Sequence, residues 1–407
     1  MKFYIHTTGC KANQWDSYII QEELINAGMK IANTLSQADL IVINACTVTE
    51  GADRDIRRFI NRCRRLDHKG KIILVGCQPQ AHQKDTFGVD LILGQNEKYF
   101  ITDARYVIEA KEYAKNCEVI ESSDLVNTTK EILKKSNIKK IIFDPNDFTY
   151  ATYIKLSEDL KVEFIPKPNF SKEKRAIKTQ KEIKLLKKAA ELGREGFKEF
   201  AKYIRKNGFH KTEQFLYFKA FEKMSQSGNL DISFEPIIAI NENAAKPHAL
   251  PTSKKLKLND LLLVDAGIKY KRYCSDRTCT SVVDFEKFSF KREQKFKNAK
   301  HQKVYDIVLK AQLNAIEKAR VGMKASDVDK LTRDIIEQSG YGKYFVHSTG
   351  HGVGLDIHEY PVINSKSDVI IEDNMVFTIE PGIYLPSEFG VRIEDTVVMQ
   401  NGKAVIL

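Results

Sequence analysis

"LLLVDAGIKYKRYCSDRTCTS", Leu261–Ser281, sets two aspartates in apolar, β-forming surroundings. Three leucines and a valine run straight into Asp265, and Asp276 stands at the head of Arg-Thr-Cys-Thr-Ser. The pattern predicts a strand, a turn and a second strand. A carboxylate held in such a strand loses its water, which costs free energy unless it is paired or bound to a metal. Each aspartate therefore requires a partner.

The same arrangement recurs twice toward the C-terminus. "MVFTIEPGIYLP" (375–386) places Glu380 between an apolar run and Pro-Gly, and "GVRIEDTVVM" (390–399) encloses Glu394. One acid in a strand reads as a salt-bridged edge residue. Four in one region, each beside apolar residues, point to a shared cation. Hard divalent ions prefer carboxylate oxygen with at most some imidazole. "HSTGHGVGLDIHEYP" (347–361) crowds three histidines and three glycines into one stretch, and His351 completes a candidate set with Asp265, Asp276, Glu380 and Glu394. Four carboxylates and one imidazole suit two divalent ions with a bridging water, the apparatus of peptide hydrolysis. Mostly oxygen donors favour Mn2+, with Co2+ or Zn2+ as the alternatives. Cys274 and Cys279, flanking Asp276, read as ordinary small residues.

The bulk numbers bound the remaining classes. A chain of 407 residues is long enough for two or three domains, and 42% hydrophobic with 29% charged residues is ordinary for a globular protein. "MKFYIHTTGC" lacks the apolar run of a signal peptide, and no stretch approaches eighteen uninterrupted apolar residues, so the expectation is a cytoplasmic protein with no membrane partner. The net charge of +11 invites a nucleic-acid reading, but twelve Lys/Arg against eleven Asp/Glu up to Glu97 leave that part nearly neutral. The excess is densest in Ser171–Arg205, where Ile177, Ile183, Leu185, Leu186, Ala189, Leu192 and Phe197 recur at roughly helical intervals between lysines. That predicts a helix with a solvated basic face and weighs against a nucleic-acid partner.

The first hundred residues alternate strand and helix. "FYIHTTG", "DLIVINAC", "KIILVGC" and "VDLILG" are short apolar runs, and "SYIIQEELINAG" is helical with Gly28 as its C-cap. This predicts a small parallel sheet. Cys10, Cys46 and Cys77 fall at three carboxyl strand ends, where such folds gather ligands. Three convergent thiols suit an iron–sulfur cluster or zinc; the alternative is three buried small hydrophobes. "TTGCKANQWDS", "ADLIVINACTVTEGADRDIRR" and "KIILVGCQPQ" resemble the N-terminal domain of tRNA methylthiotransferases, over residues 1–97. The resemblance implies that Cys10, Cys46 and Cys77 hold a [4Fe–4S] cluster. No Cys-x3-Cys-x2-Cys motif follows, which rules out methylthiotransfer by this chain acting alone.

"KYFITDARYVIEAKEYAKN" and "KKIIFDPNDFTYATYIKLSEDL" are similar to the N-terminal lobe of creatinase, prolidase and aminopeptidase P, shortened here to residues 98–170. The Asp–Asp–His–Glu–Glu order and its local motifs resemble the pita-bread metallopeptidases over 171–407. The expected fold class is thus α/β and α+β: a small parallel α/β domain, a shortened creatinase-type α/β lobe, then a pita-bread α+β catalytic domain. By resemblance, Asp265, Asp276, His351, Glu380 and Glu394 bind two metals, and Glu380 handles the proton of the attacking water. His248, His347 and His358 match the proline-peptidase branch, where such imidazoles position substrate and shuttle protons, and Arg392 falls near the substrate. The family often reads "SD-x-T-R-T" where this chain has "SDRTCT", so Cys279 replaces an arginine. The implied activity is cleavage before proline in short peptides by an Xaa-Pro aminopeptidase or dipeptidase, as a homodimer. The competing readings are a non-catalytic binding module or fusion product, and an iron–sulfur protein working through residues 1–97.

Overall fold

The computed structural model describes residues 1–7, 17, 18, 20–22, 24, 25, 27–45, 56, 58–63, 70–76, 91–94, 99–114, 117–136 and 138–407. The chain divides into two compact units, residues 1–138 with 154–160, and residues 139–153 with 161–407.

In the first unit the apolar runs become β1 (Lys2–Thr7), β3 (Leu40–Ala45), β4 (Lys71–Gly76) and β5 (Leu91–Gly94), with β2 (Lys30–Ile31) added. The order is β2-β1-β3-β4-β5 and every pairing is parallel. Both faces of the sheet are covered, so its strands carry near-continuous apolar sequence. Ile41 and Ile43 pack with Ile56, Ile60 and Leu74 on one face, and Leu40 and Val42 with Phe3 on the other. Gly28 does cap its helix: its φ is +82°, and the Met29 N–H returns to Leu24 O at 3.0 Å. The "YFIT" run forms β6 (Tyr99–Thr102), followed by α1 (Val107–Tyr113) and a parallel partner, β7 (Glu118–Glu121), then α2 (Leu125–Lys135). Cys10, Cys46 and Cys77 lie outside the described residues.

The second unit opens with a parallel pair, β8 (Lys140–Phe143) and β9 (Glu163–Pro166), with α3 (Tyr150–Ser157) between them in sequence. The helix expected over 171–205 is two helices, α4 (Phe170–Ala176) and α5 (Gln180–Asn207). Ile177 is 45% exposed in the extended link, so it belongs to no helical face. Thr179 caps α5 by accepting the Glu182 N–H, while the Glu182 side chain accepts from the Thr179 N–H. From Ile183 to Phe197 the periodic apolar side is buried and the lysines face solvent. A further helix, α6 (Glu213–Met224), follows.

The segment 261–281 holds more strands than its pattern predicts. β12 (Leu261–Asp265) pairs antiparallel with β11 (Ile237–Ile240) and with β15 (Thr278–Val282). Between them a tight hairpin intervenes: β13 (Ile268–Tyr270) and β14 (Tyr273–Cys274), which form a sheet with β10 (Asp231–Ile232). Its two-residue turn is Lys271-Arg272, both at positive φ. Neither is the Gly or Asn that ordinarily announces such a turn. All five β12 residues are buried because helices cover both faces. Leu262 and Val264 pack with Phe197, Phe200 and Leu216, while Leu261 and Leu263 pack with residues of α7 (Ala299–Lys318). Each such burial contributes about 1.5–3 kcal/mol. After α8 (Ala325–Gln338), β16 (Gly350–Gly352), β17 (Glu359–Ile363), β18 (Val376–Ile379), β21 (Asp395–Gln400) and β22 (Lys403–Ile406) form an antiparallel sheet in the order β17-β16-β18-β21-β22. β19 (Gly382–Leu385) and β20 (Phe389–Arg392) form a hairpin. Among the described residues, no helix is long and apolar enough to cross a membrane.

Candidate metal centre

Strand ends deliver the acidic residues to one place. Asp265 terminates β12, Asp276 lies between β14 and β15, Glu380 follows β18, and Glu394 separates β20 from β21. His351 is the middle residue of β16, beside a register shift that turns its strand. Its flanking glycines permit close approach: a Cβ on Gly350 would lie 1.9 Å from Thr378 O, and one on Gly352 2.3 Å from Tyr360 O. Ligand atoms of Asp276, His351 and Glu394 lie within 4.8 Å of one another. His351 Nε2 is 3.4 Å from Glu380 Oε1 and 3.5 Å from Asp276 Oδ2. All five candidate ligands line one cleft of about 910 Å³, together with His248, His347, His358 and Arg392.

The electrostatics of this wall call for positive charge. Burial, then the charges of Asp265 and Glu380, hold the Asp276 carboxyl well above the usual range. Burial likewise raises Glu394, with Asp276 adding. Glu380 is pushed up to about 7 by burial, against the opposing pull of Arg392. Burial lowers His351 to about 4, so its ring is neutral at pH 7. His351 Nδ1 lies 3.0 Å from Gly352 O. A carbonyl only accepts, so the hydrogen sits on Nδ1 and Nε2 directs a bare lone pair at two carboxylates. Asp265 Oδ1 is buried with no hydrogen-bond partner among the described residues. A lone pair facing carboxylates, and an unpartnered carboxylate oxygen beside them, fit divalent cations bound by O and N donors.

Neighbouring side chains orient the acids. Thr278 Oγ1 donates to Glu394 Oε2 at 2.7 Å, and Thr378 Oγ1 to Glu380 Oε1 at 3.0 Å. Arg392 donates to Asp265 Oδ2 (2.8 Å), Tyr384 OH (2.8 Å), Pro247 O (3.0 Å) and Thr278 Oγ1 (3.0 Å). Four of its five N–H donors are thus engaged within the protein. Both ring nitrogens of His347 are occupied too. Nδ1 lies 2.8 Å from Ser348 O, which makes Nε2 the acceptor of the Tyr384 hydroxyl, also at 2.8 Å. Tyr384 therefore joins His347 to Arg392. Sequence reasoning missed it, although it stands in the quoted "IEPGIYLP". Beside Glu394, Asp395 takes Arg292, Arg277 at 3.8 Å and Gln312 at 2.8 Å, so buried Cys279 leaves no uncompensated charge there.

Comparisons with known proteins identify the family. The pattern of Metallopeptidase family M24 matches residues 184–401, the Creatinase/Prolidase N-terminal domain matches 84–177, and Uncharacterized protein family UPF0004 matches 2–94. An uncharacterized peptidase of Bacillus subtilis, YqhT, is 35% identical over 319 residues, 77% of this chain and 86% of that one. Among solved structures, the Xaa-Pro dipeptidase from Bacillus anthracis is 34% identical with a TM-score of 0.69, covering 77% of this chain and 85% of that one. The X-Pro aminopeptidase from Thermotoga maritima is 31% identical with a TM-score of 0.68, covering 77% and 83%. The chain is a metallopeptidase with a pita-bread fold, and it belongs to family M24.

Proposed function

We propose that this chain hydrolyses the peptide bond preceding proline in short peptides, as an Xaa-Pro dipeptidase or aminopeptidase. One observation carries the reading: four carboxylates and a neutral imidazole gather on one wall of a cleft that also presents His248, His358 and Arg392. Asp265, Asp276, His351, Glu380 and Glu394 are assigned to two divalent cations, Mn2+ first by donor chemistry. When bound, the cations would lower the pKa of the attacking water and offset charge developing on the peptide oxygen. Thr378 holds one Glu380 oxygen, which leaves the other to take a proton from that water and return it to the leaving nitrogen. Burial, with His248 adding, lowers the pKa of His358, so its imidazole is neutral at pH 7 and can either donate or accept toward the peptide. The proline nitrogen carries no N–H, so the site needs no acceptor for it. His347 acts through Tyr384, and Arg392 retains one donor for substrate. We assign the catalytic part to 171–407, preceded by a shortened lobe at 98–170 and a separate segment at 1–97.

The test is cleavage of Ala-Pro and of a longer Xaa-Pro peptide by the full chain, in EDTA and then with Mn2+. Cleavage restored by metal is expected, and the faster peptide separates dipeptidase from aminopeptidase. A folded, metal-loaded protein that cleaves neither would sink the reading.

A further inference from the structure

Glu359 follows His358 directly, and its side chain is 1% exposed. Its Oε2 lies 2.9 Å from Lys178 Nζ, on a side chain only 2% exposed. Its Oε1 accepts the backbone N–H of Leu355 at 3.0 Å and of Asp356 at 3.2 Å, and Arg175 Nε approaches to 3.6 Å. Arg175 also binds Asp356 at 2.7 Å. The carboxylate fills the space over Gly354, where a Cβ would meet Glu359 Oε2 at 2.3 Å. One carboxylate thus closes the turn 354–358, which ends in His358, whose ring centroid is 4.3 Å from that of His351.

A buried ion pair is a poor device for stability alone, because apolar residues of similar volume often serve as well. Apolar side chains, however, cannot accept the two N–H groups of the turn. His358 precedes β17 and has no partner in its pairing with β16, whose register shifts between His351 and Gly352, the residue opposite Glu359. Both cations stand outside the M24 match of 184–401. Arg175 lies in the last turn of α4, and Lys178 immediately precedes the cap of α5. We propose that Lys178 and Glu359, assisted by Arg175, are positioning residues for His358, fixing the turn so that its imidazole meets the peptide in the cleft. The proposal rests on the proline-peptide reading for what His358 does.

The test is a mutant cycle on the Mn2+-loaded full chain with Ala-Pro, paired with hydrogen exchange at the Leu355 and Asp356 amides. K178M/E359L removes the charges and the acceptors, whereas K178M/E359Q keeps an acceptor oxygen. H358N is expected to lower kcat about tenfold or more in the parent chain. In K178M/E359L it should cost less than about threefold further, because the positioned group is already lost. K178M/E359Q should recover most of kcat. Exchange at the two amides should quicken about tenfold in the leucine variant and stay near parental in the glutamine variant. Additive losses in kcat, or unchanged exchange, overturn the proposal. Should the leucine variant not fold, R175M, at a side chain 32% exposed, enters the same cycle, and additivity there overturns it equally. A parent chain inactive on every Xaa-Pro peptide sinks the cleavage reading instead, and exchange alone then decides whether the pair holds the turn.

Discussion

His347 is surrounded by Tyr384, Arg392, Arg333 and His248, and burial, with Arg392 adding, lowers its pKa from the ordinary 6.5 to about 4. The unfolded chain therefore takes up a proton at this residue near pH 6.5, while the folded chain resists until about pH 4. Stability contributed here is complete above pH 6.5 and falls as pH drops through that window, by about 3 kcal/mol in all. H347Q should flatten this part of the acid-unfolding curve measured in urea, and an unaltered slope between pH 6.5 and 4 would refute the assignment. Glu394 offers a second test. It is buried against Asp276 and Glu380, so in EDTA the E394Q protein should be more stable than the parent by roughly 1–3 kcal/mol. In Mn2+ the order should reverse if Glu394 is a ligand as proposed, because the variant has lost it. An E394Q protein less stable in both media would contradict the picture of mutually repelling carboxylates. The acids and His351 were legible because a carboxylate in an apolar run needs an explanation. Tyr384 was not, because a tyrosine in a strand needs none.

Helix α8 shows how an element reaches the cleft without lining it. Arg333 binds Asp329 through two hydrogen bonds of 2.8 and 2.9 Å, and two of its three other donors hold Phe345 O at 3.2 Å and His347 O at 3.1 Å. Asp329 also accepts from Thr349 Oγ1 at 2.8 Å, and Thr349 O receives the Glu380 N–H. One turn of helix thereby holds the backbone on which His347 stands. Lysine keeps the charge but not the planar fork. R333K should lower stability by roughly 1–3 kcal/mol and reduce kcat on Ala-Pro, read from the urea midpoint and from initial rates. An unchanged midpoint would show that the fork contributes nothing. Such ties join residues four apart on the helix to carbonyls a dozen or more residues away, and no local pattern records them. The elements themselves were legible wherever periodicity ran long, as in α5 and β12. They were misread where a local feature overrode the pattern: Ile177 continues the helical spacing across a break, and Lys271-Arg272 turns without glycine.

At the scale of the whole molecule, the order of segments could be read from sequence because each carries dense motifs of its own. The cleft and its nine candidate residues all fall in the second compact unit, which makes metal linkage a property of that unit. A ligand that binds only the folded form stabilises it by an amount set by its concentration over its Kd, about 2.7 kcal/mol at a hundredfold excess. That free energy slows exchange about a hundredfold at amides that open only by unfolding of the unit. Mn2+ added to the EDTA-treated chain should therefore slow exchange in β12, β18 and β21, whose ends present Asp265, Glu380 and Glu394. The amides of β1, β3 and β4 should be unaffected, because none of the five residues assigned to Mn2+ stands in their unit. Segment-resolved hydrogen exchange, with and without Mn2+, reads both sets in one experiment. Equal slowing in both units would mean that the cation binds elsewhere or that the units unfold as one. No slowing in β12, β18 and β21 would mean that the five residues do not form a metal site, however well their chemistry suits one.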